Sequence, residues 1–210
     1  MKKFILFLMA TMFSLVSNAQ TTLQTPKLFD NTYIGITGGV STNMDFNCFT
    51  PFNYSVGLRA GKELTPVFGI QVEELASFTD NFMNDSKNFI RFVNTEFNGT
   101  INWSNLLFGY KGSSRTFEVR SVTGLGWLVF FKGERKYLDD SNEVSAKTAL
   151  DLTYNINPAW RVYVQPGVYW NLTSNDEDKI QFNKHGAYIA VMVGVDYKFK
   201  ISNKTHSFRY

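Results

Sequence analysis

Alternation of apolar and polar residues at a period of two runs through most of this chain, and it is cleanest from Gly186 to Lys200. There Ile189, Val191, Val193, Val195, Tyr197 and Phe199 share one face, while Tyr188, Ala190, Met192, Gly194, Asp196 and Lys198 share the other. Successive side chains of a strand point to opposite faces, so the segment predicts a β-strand with one unbroken apolar face and one polar face. Such a strand fits a soluble sandwich or barrel if its apolar face meets a core. It fits a membrane barrel if that face meets lipid and the polar face lines a lumen. The other strands decide between the two.

Residues 20–31 read as a lead-in, and Tyr33 to Val40 is the first strand, with Ile34, Ile36 and Val40 opposite Gly35, Thr37 and Gly39. The second, Asn53 to Lys62, sets Tyr54, Val56, Leu58 and Ala60 against Ser55, Gly57, Arg59 and Gly61. Thr65-Pro66 turns the chain into a third strand, Val67 to Glu73, because proline fits a turn and cannot donate to a ladder. Beyond Glu74 the alternation fails, and 77–95 reads as a long loop rich in Asn, Asp and Phe. The fourth strand, Phe97 to Ser104, places Phe97, Ile101 and Trp103 on the apolar face, and the connection after it holds a helical turn at Leu106 to Tyr110. Three more strands follow: Phe117 to Phe131, interrupted on its apolar face by Ser121 and Thr123; Val144 to Asn155; and, after an Asn157-Pro158 turn, Trp160 to Leu172.

An even set of eight strands, each long enough to cross a bilayer when tilted, predicts an all-β, eight-stranded antiparallel up-and-down transmembrane β-barrel. Only a closed barrel of strands satisfies every backbone hydrogen bond in lipid. Short turns alternate with longer polar loops, as in outer-membrane barrels with periplasmic turns and external loops. Charge placement weighs most. Arg59, Glu73, Glu118, Arg120, Lys147, Asp151, Arg161, Asp196 and Lys198 all fall on the polar face, and none is expected on the lipid face. Each Arg or Lys turned to lipid at midplane costs about 2–4 kcal/mol, so a one-residue slip exceeds a domain's usual net stability. Aromatic residues of the apolar face sort into two girdles. Phe68, Trp103, Phe117, Tyr154, Trp160, Tyr197 and Phe199 fall near one rim, and Tyr54, Phe97, Trp127, Phe131 and Trp170 near the other. A soluble eight-stranded ligand carrier would show neither the bands nor the charged interior.

Residues 1–19 form an expected signal peptide: Lys2 and Lys3, an apolar run from Phe4, and the small residues Ser17 and Ala19 ahead of Gln20. Without Lys2 and Lys3 the 21 basic residues come close to the 18 acidic ones, which argues against a nucleic-acid partner. Cys48 is the only cysteine, so an internal disulfide and a thiolate metal cluster are excluded. Aromatic residues make up 16% of the chain, heavy for a soluble domain.

Three short motifs, Gly61 to Gly69 (GKELTPVFG), Asn102 to Lys111 (NWSNLLFGYK) and Gly194 to Lys200 (GVDYKFK), resemble the porin-family outer-membrane barrels of Bacteroidetes, which share the architecture of the OmpA transmembrane domain. The resemblance implies a cell outer-membrane location, contact with outer-membrane lipids and lipopolysaccharide, and recognition by the outer-membrane assembly machinery. Gly194, Tyr197 and Phe199 match the spacing of the last-strand signal that such machinery is thought to read. The barrel is expected over residues 20–200, followed by a short periplasmic tail, 201–210, with no cell-wall-binding domain after it. That tail ends in Phe208 and Tyr210, which compete with the last strand as a terminal signal.

An enzyme needs a positioned nucleophile or acid-base group. The chain offers His185 beside the last strand, His206 in the tail and Cys48 in the first loop, and the bland reading of each is a bystander. The expectation is a non-enzymatic protein without metal or cofactor. Its charged interior pairs up and plugs, with Tyr163, Tyr169, Tyr188 and Phe130 filling the space left by Gly57, Gly69, Gly126 and Gly167. Function then falls to structure, or to an extracellular ligand met through the loops. Of these the second is rich in apolar side chains, Phe78, Phe82, Met83, Phe89 and Phe92, which pack over the barrel mouth or meet a partner. The alternatives are a narrow ion or small-solute channel and a lipid-modifying enzyme at the outer leaflet using His185.

Overall fold

The alternating stretches become the staves of a cylinder. A computed structural model describes residues 29–43, 53–78, 90–111, 114–130, 142–172 and 187–199. Eight strands close in the order β1 to β8, each antiparallel to its neighbours: β1 (Thr32–Asn43), β2 (Asn53–Glu63), β3 (Phe68–Phe78), β4 (Ile90–Asn102), β5 (Phe117–Phe130), β6 (Asn142–Asn155), β7 (Trp160–Asn171) and β8 (Ala187–Lys198). One short helix, α1 (Trp103–Phe108), follows β4. A row of paired residues that leaves β1 at Tyr33 passes Gly61, Gln71, Asn98, Gly124, Lys147, Tyr169 and Tyr188 and returns to β1 at Asn43. That stagger corresponds to a strand tilt of roughly 40° and an interior that side chains can fill.

The hairpins β2–β3 and β6–β7 are closed by polar side chains at one end of the cylinder, here the turn end. Thr65 Oγ1 accepts from the Phe68 amide at 2.7 Å, and Asn157 Oδ1 accepts from the Ala159 and Trp160 amides at 2.8 Å. Helix α1 sits at the same end. The other connections leave from the opposite, loop end.

The faces follow the alternation. Ile36, Leu58, Val193 and Leu125 are all more than half exposed on the outside, while Arg59, Lys147 and Arg161 are 1% exposed inside. In water this arrangement would forgo about 25 cal/mol for every Å² of apolar exterior left uncovered. Pro166 faces outward in β7, and the β6–β7 pairing skips the residues opposite it and Gln165 because proline has no amide to donate.

Several boundaries depart from the expectation. β3 runs on to Phe78, with Leu75 inside and Glu74 outside, so the hydrophobic sense of the alternation inverts there while the strand continues. β4 begins at Ile90, which moves Phe97 from the outer rim to mid-strand. Trp103 opens α1 and does not close the strand, and the helix covers the first half of the expected Leu106 to Tyr110 turn, beginning three residues earlier. Asn102 Oδ1 accepts from the Asn105 amide at 3.1 Å and caps it, and Gly109 at φ +71° ends it. Among the described residues, the uncharged exterior is corrected at two places. Lys62 at the turn end and Glu74, opposite Leu58 and Thr95, both point outward.

Candidate functional site

Inward positions of all eight strands converge on one charged interior. At the turn end, Asp196 on β8 is its centre: Arg59 Nε donates to Oδ1 and Nη2 to Oδ2, both at 2.7 Å, and Arg161 Nε donates to Oδ2 as well. The geometry is a bidentate fork with a second guanidinium added. Asp196 reaches β2 because Gly35, its neighbour on β1, has no side chain; a Cβ there would collide with the carboxylate. Arg59 also holds Asp151 at 3.1 Å, and Gln165 Nε2 donates to the other oxygen of that carboxylate.

The network continues downward. Glu63 accepts from Arg120 at 2.9 Å and Arg161 at 3.1 Å, with the Lys198 ammonium 3.7 Å away. Arg120 also donates to Glu118 at 2.7 Å, and Glu118 accepts from Asn102 at 2.9 Å. Aromatic rings line the guanidinium groups. The Arg59 guanidinium carbon lies 3.2 Å from the Tyr163 ring centre, and that of Arg161 lies 4.1 Å from Tyr33. A small pocket of about 10 Å³, room for one water, lies below, lined by Glu63, Glu118, Arg120, Asn105 and Tyr110 among others. Burial, then the carboxylates of Glu63 and Glu118, push the Tyr110 phenol above its ordinary pKa.

A second, smaller group lies above. Lys147 on β6 donates to Glu73 at 2.6 Å and pairs with Glu96 at 3.1 Å. Gln71 links it to the lower network by donating to Glu73 at 2.9 Å while accepting from Tyr33 at 2.8 Å. Above Lys147 an aromatic cluster stands among buried but uncharged polar side chains: Tyr169 and Tyr188 stack with ring centres 4.7 Å apart, over Leu75, Ala190 and Met192, with Ser55, Ser77, Asn94 and Ser145 buried around them. Phe92 closes on Tyr188 at 5.8 Å.

All of the predicted interior charges therefore sit in the lumen, and each has an oppositely charged partner. Two members of the set are absent from the expectation. Glu63 stands one residue beyond the predicted end of the second strand, and Glu96 one residue before the predicted start of the fourth. Both carry the inward parity of their strands, which a longer reading of each alternation would have found. The room-making glycines are also corrected. Gly194 opens space for Tyr163 and Gly61 for Tyr33, whereas Gly57 faces Leu75 and Gly69 faces Thr100. Gly194 thus has a packing role, and Tyr197 points outward with its ring 5.0 Å from Trp160 and 5.4 Å from Phe199. Of the loop-two aromatics, Phe78 is the last residue of β3 and Phe92 the third of β4. Phe82, Met83, Phe89, Phe131, Cys48, His185, His206, the predicted signal peptide and the predicted tail lie outside the described residues.

A closed barrel with a hydrocarbon-like exterior and an ion-paired interior is a membrane-spanning β-barrel, and its fold is that of outer-membrane proteins, which places the chain in an outer membrane. The crystal structure of Neisserial surface protein A is similar over 81% of this chain and 98% of that one, with a TM-score of 0.58 and 10% identity. The N-terminal β-barrel domain of Pseudomonas aeruginosa OprF is similar over 81% and 98%, with a TM-score of 0.51 and 10% identity. These likenesses are of fold. No family model matches the chain, and no curated protein does.

Proposed function

We propose that this protein is a small outer-membrane barrel whose interior is plugged, and that it acts structurally or by surface interaction through its loops. The observation that carries the reading is the filled cross-section. Arg59, Asp196, Arg161, Glu63 and Arg120 interlock at the turn end, and Lys147, Glu73 and Glu96 interlock above them under the Tyr169–Tyr188 stack. Each fully buried side chain there is tied to a partner, so moving an ion through means breaking charge-assisted bonds in a low dielectric. Purified protein in planar bilayers is expected to show no stable conductance steps. Steps that change with substitutions at Arg120 or Lys147 would overturn the plug.

A narrow ion or small-solute path is the second reading, favoured by buried polar atoms without protein partners along the wall, among them Glu73 Oε1, Ser77 Oγ and Tyr169 OH. The same recordings separate the two. The remaining assignments follow from the sequence: affiliation with the porin-family barrels of Bacteroidetes, removal of residues 1–19 on export, and Gly194, Tyr197 and Phe199 as the signal for the assembly machinery. Outer-membrane lipids, lipopolysaccharide and an extracellular ligand complete the proposed partners. N-terminal sequencing of the mature protein is expected to begin at Gln20, and a retained Met1 would refute the signal peptide.

A further inference from the structure

Helix α1 is held against the barrel by four independent sets of bonds. Asn102 caps it, Asn105 Nδ2 donates to the Pro66 carbonyl at 2.8 Å, and Ser104 Oγ accepts from the Val119 amide at 2.9 Å. Arg115 donates to the carbonyls of Phe108 at 2.9 Å and Gly109 at 2.6 Å, satisfying the helix C-terminus. These bonds fix which way the helix faces. Trp103 Nε1 donates to Ser121 Oγ at 3.0 Å, and Ser121 has the outward parity of β5, shared with Phe117, Val119 and Leu125. The indole therefore stands on the lipid side of the wall. At 100° per residue, Leu106 and Leu107 share the face of Trp103, while Asn105 points back to the barrel.

The result is an apolar surface fixed below the band of the barrel and continuous with it. Leu107 is 69% exposed and Phe108 72%, and Phe29, Leu64 and Ile156 are exposed at the same end. The exposed Lys111 and the Arg115 side chain stand just beyond. Apolar residues flanked by cations are the composition of a segment lying in the membrane interface. We infer that α1 is an interfacial foot: Trp103, Leu106, Leu107 and Phe108 insert among the glycerol and upper acyl-chain region of the turn-side leaflet, fixing how deep the barrel sits. The inference rests on the membrane reading of the barrel and adds to it a lipid contact outside the strands.

Site-directed nitroxide labels test it in the folded protein reconstituted in phosphatidylcholine vesicles, in a Cys48→Ser background, with folding verified by the gel shift on heating. Labels are placed by Leu107→Cys and by Phe108→Cys, with Leu125→Cys as the mid-band reference and Lys111→Cys as the aqueous one. The readout is collision with oxygen, which partitions into lipid, against collision with a water-soluble nickel chelate. The expected ratio at Leu107 and Phe108 lies between those of the two references, well above that of Lys111 and below that of Leu125. A ratio matching Lys111, or protection from both reagents, overturns the foot. A water-like ratio at Leu125 itself would bring down the membrane reading as well, so the two failures are distinguishable.

Discussion

The two halves of the lumen solve the same problem differently. At the turn end, Arg59, Arg120, Arg161 and Lys198 meet Glu63, Glu118, Asp151 and Asp196, and most of these groups hold two or more partners. At the loop end one cation among the described residues, Lys147, serves both Glu73 and Glu96, and above it stacked tyrosines stand among uncharged polar side chains such as Ser77 and Asn94. Buried ion pairs return their desolvation cost only when every lone pair and proton is matched. The turn end meets most of this demand with shared acceptors, leaving Arg120 Nε without a partner, and the loop end limits the demand by keeping charges few. Ion pairing is thus concentrated at the turn end, away from the loops.

Breaking the centre of the turn-end network has the largest expected effect. Asp196→Ala strips the main acceptor from both Arg59 and Arg161 and is expected to cost about 5 kcal/mol, seen as a lower urea midpoint for loss of the heat-modifiable band. Lys147→Met leaves Glu73 and Glu96 without their cation, and about 3 kcal/mol is expected in the same assay. An equal or larger loss than that of Asp196→Ala would reverse the ranking of the halves. Glycine substitutions sharpen the contrast. Gly194→Ala drives a methyl into the Tyr163 ring and the Ile36 carbonyl, for about 2 kcal/mol. Gly126→Ala meets the side chains of Ser145, Asn94 and Glu96, which can shift, and should cost less. The smallest effect belongs to Tyr188→Leu, which loses the stack on Tyr169 for about 1 kcal/mol and leaves bilayer conductance unchanged, because the turn-end network still closes the lumen.

The faces of the strands were legible in the sequence because a one-residue slip would turn Arg59, Lys147 or Arg161 into lipid. The ends of the strands were not. The alternation was read as apolar outside and polar inside, and that rule fails where single apolar side chains face the interior. Leu75 faces in and Glu74 out, so β3 looked finished at its midpoint; Phe92 faces in at the start of β4, so that strand looked late in beginning. Glu96 was lost at the second of these ends, and Glu63 at the end of β2, read one residue short. Trp103 was drawn into a strand because an aromatic at the right spacing resembles a girdle residue. Only the Asn102 cap, a contact made in three dimensions, turns it into the first residue of a helix.

Asp196 leans over side-chain-free Gly35 to grip Arg59, so one carboxylate spans three staves across the place where the last joins the first. Such a staple forms only once the cylinder has shut. Prising the seam apart would leave Arg59 with Asp151 alone and its other two donors unmatched, and the joint that a closing sheet would otherwise leave weakest becomes the one that resists unzipping.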